Sequence, residues 1–239
     1  MSIMKSLFME RTIEPELMEN KEQVISYARA DFSEGENSLI NQISNYLLEN
    51  NIYLSDKDLI VDLGCGPGNI SERLSKKWPK AQVVGIDGSK QMILKANSNL
   101  KTGKKRGQYK NLRYMCCDIK NIELNDINFG NNISLLVSNS LIHHIKYIDD
   151  FFNCINRLSN KMTINFHKDL KRPENEKKAL ELKSKCASKF NDILTNDYYL
   201  SLKASYTFKE LKKLISENEF TSLDVIEKGD QYLVIYGKV

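Results

Sequence analysis

Asp62 lies in the apolar run 59–63, two residues ahead of a glycine ladder, Gly64-Cys65-Gly66-Pro67-Gly68. Glycine lets a backbone approach a ligand with no Cβ in the way. A helix starting just beyond turns unpaired N–H groups toward the same ligand. The segment therefore reads as a strand–loop–helix cradle for a nucleotide. A dinucleotide loop follows G-x-G-x-x-G, and Asn69 stands where its third glycine belongs. A carboxylate beside the loop repels phosphate and attracts a cationic group, such as an α-amino group or a sulfonium. The competing reading of Asp62 is an acid that caps or braces the loop.

Two more acids follow apolar runs. Asp87, before Gly88 and Ser89, ends the run 82–87, where a carboxylate can accept both hydroxyl protons of a ribose. Asp118, before Ile119, follows the run 112–117, where it can accept from an adenine amino group or serve as a turn residue. After the run 133–138 come Asn139, Ser140, His143 and His144. The histidines are candidates for a general base or a substrate hydrogen-bond donor, against packing under the next helix. Asn139 and Ser140 are candidates to touch a ligand or brace the loop. His167, which ends the run 161–167, and Asp169, just after it, could take a proton from a substrate, or hold a turn with Pro173. Tyr198 and Tyr199 could wall a pocket, although buried aromatic packing is the better account of at least one of them.

These residues need a scaffold, and the periodicity supplies one. Helices are expected at about 15–31, with Pro15 at its first position and Leu17, Val24 and Ala28 on one face, and at 37–50. Strands and helices then alternate: strand 59–63, helix 68–77, strand 82–87, helix 89–100 capped by Ser89, strand 112–117, strand 133–138, helix 147–158 and strand 161–167. This rhythm argues for a parallel sheet with helices on both faces. A polar helix over 174–195 reads as a surface cap. Thr207 and Glu210 form a capping box ahead of a helix over 208–218. Strands 222–227 and 231–238 close as an antiparallel hairpin. The domain reading is an N-terminal helical segment, 1–55, covering the site of a main domain, 56–239, that carries a helical insertion at 171–206.

With 239 residues and 41% hydrophobic content, the chain can bury one core with elaborations. It has no long apolar run for a membrane span and no signal-peptide pattern, so a cytoplasmic protein is expected. Five cysteines without a C-x-x-C fit reduced thiols. The histidines show no ligand spacing with them, so no metal is expected. Lys101, Lys104, Lys105, Arg106 and Lys110 read as a basic loop between helix 89–100 and strand 112–117. Such a run meets a phosphate backbone or is simply solvated surface.

Taken in order, Asp62-x-Gly64-x-Gly66-x-Gly68, Gly85-Ile-Asp87, Cys117-Asp118 and Ser138-Asn-Ser-Leu-Ile-His-His144 resemble the motif series of class I S-adenosylmethionine-dependent methyltransferases. The resemblance runs over about residues 55 to 170. It implies a Rossmann-like, doubly wound α/β fold: a mostly parallel seven-stranded sheet with an antiparallel C-terminal hairpin. It implies that the loop of Gly64, Cys65, Gly66 and Gly68 holds the methionine part, Asp87 and Gly88 the ribose, and Asp118 and Ile119 the adenine, with Met92 near its ring. Tyr27 would close over the cofactor as N-terminal segments do in related enzymes, or pack in the core. S-adenosylmethionine would leave as S-adenosylhomocysteine. Ser138-Asn-Ser-Leu departs from the Asn/Asp-Pro-Pro-Tyr/Phe signature used on exocyclic amines, which turns the expectation toward a small-molecule acceptor. An RNA methyltransferase using the basic loop is the alternative, and a non-catalytic or NAD-dependent protein the third. Oligomeric state is open.

Overall fold

The computed structural model describes residues 8–14, 17–127 and 132–239. Seven strands form one sheet: β1 Asp58–Leu63, β2 Gln82–Asp87, β3 Leu112–Cys116, β4 Asn132–Asn139, β5 Ile164–Leu170, β6 Leu223–Lys228 and β7 Tyr232–Lys238. Their order is β3-β2-β1-β4-β5-β7-β6. β1 to β5 pair in parallel, and β7 runs antiparallel to both β5 and β6. The doubly wound sheet and its C-terminal hairpin are those expected from the alternating pattern. β1, β4 and β5 are almost wholly buried, as strands covered on both faces must be.

The helices are α1 Lys21–Arg29, α2 Ser33–Glu49, α3 Asn69–Lys77, α4 Lys90–Lys105, α5 Leu124–Ile127, α6 Ile148–Leu158, α7 Glu176–Ala187, α8 Asp192–Ala204 and α9 Phe208–Glu217. One apolar cluster joins the sheet to α6 and α9 through Phe151, Phe152, Leu211 and Ile215. The other joins the opposite face to α2, α3 and α4 through Leu39, Ile43, Leu74 and Leu100. α4 starts where Ser89 accepts from Met92 N, and α9 where Thr207 and Glu210 complete the capping box.

Four boundaries differ from the sequence reading, each for a local reason. The first helix begins only at Lys21, because the Asn20 side chain accepts from Glu22 N and Gln23 N and fixes the start there; Pro15 lies outside the described residues. α4 runs on to Lys105, so Lys101, Lys104 and Lys105 sit on its last turns and not in a loop. The cap is two helices, because Asn191 caps α8 through Leu194 N and ends the run after α7. β5 starts at Ile164 and continues to Leu170, since β7 supplies ladder partners as far as Leu170↔Tyr232. His167 and Asp169 are therefore strand residues. Among the described residues no helix is long and apolar enough to cross a membrane.

Candidate functional site

A cavity of about 630 Å³ opens over the C-terminal ends of the parallel strands, where open α/β sheets take their ligands. Of the residues singled out from sequence, Asp62, Gly64, Cys65, Gly66, Asp87, Gly88, Met92, Asp118, Ile119, Asn139, Tyr27, His143 and His144 line it. Gly68 and Asp169 do not.

The glycine loop is held open by its own conformation. Gly64, Gly66 and Gly68 have φ of 65°, 53° and 96°, a region L side chains rarely enter. A Cβ on Gly64 would lie 2.7 Å from Leu141 Cδ1, and one on Gly68 2.1 Å from the Tyr114 hydroxyl. A Cβ on Gly66 would meet nothing within 4 Å, so this residue faces open cavity. Gly68 instead shapes the turn: it is the N-cap of α3, and its carbonyl accepts from Tyr114 Oη at 3.2 Å.

Two acids brace this loop as well as face the cavity. Asp87 Oδ2 accepts from Gly66 N and Oδ1 from Ser89 N, each at 2.8 Å. Burial raises its pKa, and those N–H groups pull it back. Asp62 is 1% exposed and accepts from Ser71 Oγ at 2.6 Å, which ties β1 to α3. Burial pushes its pKa up to about 7, against the pull of Ser71. The bracing role and the cavity-lining position thus coexist in one side chain. Asp118 accepts from Lys120 N at 2.9 Å in a turn. Cys65 is a buried thiol whose pKa burial raises well above the usual value, which makes it a poor thiolate.

Asp62 supplies a pH prediction. The native state keeps its proton to about pH 7, whereas the unfolded chain releases it near pH 4. Between these values the native state binds more protons, so stability falls as pH rises. Asp62→Asn is expected to flatten the melting temperature of the unliganded protein across pH 4–7 and to raise it at pH 8. A variant whose pH dependence matches the wild type would rule out this proton.

At the other end of the cavity lies a cluster that sequence reading saw only in part. A 3-10 turn, Ile142–His144, follows β4. His143 is buried, with Nδ1 hydrogen-bonded to Asp169 Oδ1. Asp169 Oδ2 also accepts from Ile142 N at 2.6 Å, which fixes the turn to β5. Asp169 thus stands behind His143 and not against a ligand, a correction to its reading as a direct proton acceptor. His167 is also withdrawn: it is fully buried between Ser138 Oγ and Asn165 Oδ1, and burial lowers its pKa to about 3. Tyr198 lines the cavity, while the Tyr199 hydroxyl bonds Glu176.

Glu14 completes the cluster. Its Oε1 lies 3.6 Å from His143 Nε2, 3.3 Å from His144 Nδ1 and 3.1 Å from Ser201 Oγ. Burial raises its pKa to about 7, against the opposing charge of His143. Burial disfavours a charged His143 ring, but the charge and hydrogen bond of Asp169, with Glu14, outweigh it and raise its pKa. Asp169 is held below the usual carboxylate range, burial being outweighed by His143 and by the N–H groups of Ile142 and Leu170. No local pattern marks Glu14; long-range contacts place it. Arg11 Nε donates to Ala204 O at 2.6 Å and Nη2 to Ile145 O at 3.0 Å, and Thr12 N donates to Lys203 O at 3.0 Å. These bonds lay residues 8–14 along α8. Glu14, His143 and His144 each offer a donor atom within 4.8 Å of the others, a set able to hold a cation. The formal charges of Glu14, Asp169, Arg11 and one protonated histidine already cancel, so a proton alone balances the cluster.

The roof combines the N-terminal helices with the segment of α7 and α8. Tyr27, Phe32 and Phe190 pack in a row with tilted rings, centroids 4.9 and 5.1 Å apart. Ser89 Oγ donates to Met18 O at 2.9 Å, tying the segment before α1 to the loop that follows β2.

Residues 60–161 match the family model described as a methyltransferase domain. Trans-aconitate 2-methyltransferase of Rhodopseudomonas palustris (strain BisA53) is 47% identical over 49 residues, 20% of this chain and 19% of that protein. The enzyme of that name from Escherichia coli O157:H7 (strain EC4115 / EHEC) is 49% identical over 47 residues, again 20% and 19%. The chain thus matches about a fifth of the length of these curated relatives. Among solved structures, a SAM-dependent methyltransferase from Aquifex aeolicus superposes with TM-score 0.62 at 16% identity, covering 91% of this chain and 97% of that one. The plantazolicin methyltransferase BpumL, solved with a pentazolic desmethylPZN analogue and SAH, gives TM-score 0.66 at 17% identity, with 91% and 89% covered. At such identities the likeness carries the fold.

Proposed function

We propose that this chain, a class I S-adenosylmethionine-dependent methyltransferase by its matched domain and its fold, transfers a methyl group to a small-molecule acceptor that gives up a proton. The observation that carries the reading is one cavity lined both by the glycine loop with its acids and by His143, the member of the Glu14–His143–Asp169 cluster that reaches it. The cofactor fits the donor set. Asp62, Asp87 and Asp118 stand on or just after three adjacent strands, about 4.8 Å apart in the sheet. They face, in turn, the places of a cationic amino group, a ribose and an exocyclic amine. Gly66 leaves room for backbone contact.

The bound donor supplies an already activated methyl group on a positive sulfur. The protein's first task is therefore alignment, since orientation carries much of the acceleration in a displacement of this kind. Tyr27, Phe32, Phe190 and Tyr198 give the acceptor side apolar walls, and α1, α7 and α8 roof it. A largely apolar cavity with a few convergent polar groups suits a small molecule. The basic residues that favoured RNA lie mostly on the last turns of α4, and none of them lines the cavity. His143 Nε2 takes the acceptor's proton. Asp169 holds the ring in one tautomer and steadies its charged form, and Glu14 stands ready to receive the proton onward. Excluding water keeps these charges effective.

Calorimetry with S-adenosylhomocysteine tests the cofactor assignment. The wild type should bind it. Asp87→Ala should weaken it about 10–100-fold, because a buried charged acceptor is lost together with its bond to Gly66 N. NAD binding in place of S-adenosylhomocysteine would overturn the reading, and unchanged affinity in the variant would remove Asp87 from the site.

A further inference from the structure

Lys168 is the one buried ammonium among the cavity's lining residues. It lies on β5, in register with Asn139 of β4 and Val234 of β7. Strand alternation turns Asp169 toward His143 and Lys168 toward the other face, against the first turn of α2. The residue is 5% exposed. Its Nζ reaches Gly35 O at only 3.4 Å and lies 4.0 Å from the centre of the Tyr232 ring. A buried lysine with three donors normally needs an anionic partner. The acid that bears on it, Glu36, is already committed to Arg73 at 2.9 Å and to Asn69 at 2.8 Å. Among the described residues Lys168 has no salt bridge.

We infer that Lys168 is an anion subsite that receives a carboxylate of a bound ligand. This rests on the methyl-transfer reading for the identity of the ligands. Two sources share the chemistry: a carboxylate on the acceptor and the methionine carboxylate of the cofactor. Sheet geometry favours the acceptor. β5 stands two strands from β1, about 9.6 Å across the sheet, and Lys168 and the His143 cluster flank the same strand end. An acceptor anchored on Lys168 by its carboxylate can present a second group to His143 across that end. Tyr232 and Leu170 then provide the apolar side of the subsite.

Lys168→Met tests this, because methionine keeps an unbranched side chain only one atom shorter and loses the ammonium with its charge and donors. The unliganded variant should melt no lower than the wild type, since removing an unpaired buried ion relieves desolvation. Calorimetry then separates the sources. If the acceptor supplies the carboxylate, S-adenosylhomocysteine binds both proteins alike. A probe such as succinate or citrate then binds the S-adenosylhomocysteine-loaded wild type and is weakened about 10–100-fold in the variant. If the cofactor supplies it, S-adenosylhomocysteine is weakened by that factor, while its analogue lacking the carboxylate, 5′-deoxy-5′-(2-aminoethylthio)adenosine, binds both proteins alike. Binding of S-adenosylhomocysteine unchanged by the variant, with no probe that depends on Lys168, overturns the subsite. A wild type that binds no S-adenosylhomocysteine overturns instead the methyltransferase reading on which the ligand identities rest.

Discussion

His143→Ala should lower kcat of acceptor methylation by about 10²–10⁴-fold, the usual worth of a positioned general base, while leaving S-adenosylhomocysteine affinity within a factor of about three. The expectation follows from the division of the cavity: the ring lies at the β4–β5 end, away from the loop and acids assigned to the cofactor. Asp169→Asn separates positioning from chemistry. It keeps the shape but can offer the ring the wrong partner, so kcat should also fall steeply. The pH profile carries the diagnostic sign. Asp169 raises the pKa of His143, so its charge holds the ring protonated to higher pH. Neutralising it should move the acid limb of kcat to lower pH even as the plateau drops. A merely structural Asp169 would lower stability without moving that limb. If His143→Ala retained kcat within threefold of the wild type, the base assignment would fail, and alignment alone would account for the rate.

Gly68→Ala should destabilise the protein by about 2–4 kcal/mol, from the left-handed backbone that an L side chain resists and from the clash it creates. A new methyl group would lie 2.1 Å from Tyr114 Oη. Tyr114 cannot simply swing aside, because its ring also lies within 2.7 Å of the place a Cβ on Gly85 would take. The loop, α3 and the β2–β3 pair are therefore packed against one another. Thermal melting gives the stability loss. Calorimetry should show S-adenosylhomocysteine binding weakened well beyond the Asp87→Ala effect, since the whole turn shifts. Gly68→Ala with Tyr114→Ala should recover only part of the loss, because the backbone cost persists. Full recovery would mean that the φ of Gly68 costs nothing.

Much of the half proposed for the cofactor was legible because its pattern is written locally. Asp62, Asp87 and Asp118 each follow a run that reads as a strand, and the glycines sit between strand and helix. The half proposed for the acceptor was less legible, for a physical reason. Asp169 reads as a turn residue after the run 161–167, because β5 gains Asp169 and Leu170 only through β7, a partner far along the chain. Glu14 carries no signal in its own neighbourhood; Arg11 and Thr12 bring it to the site through bonds to residues 145–204. Asp62 braces β1 against α3 through Ser71, and the same carboxylate lines the cavity.

The reversed direction of β7 has a consequence for how the protein is made. β5 is finished at Leu170, but its neighbour in the sheet begins only at Tyr232. During synthesis β5 therefore waits as an open edge while α7, α8, α9 and β6 emerge. Exposed edges of that kind invite pairing with other chains. The cradle side can assemble early from contiguous βα units, whereas the wall that holds Lys168 closes last. Refolding should accordingly show a slow phase reported by Tyr232, and that interval is when a chaperone would find the most to hold.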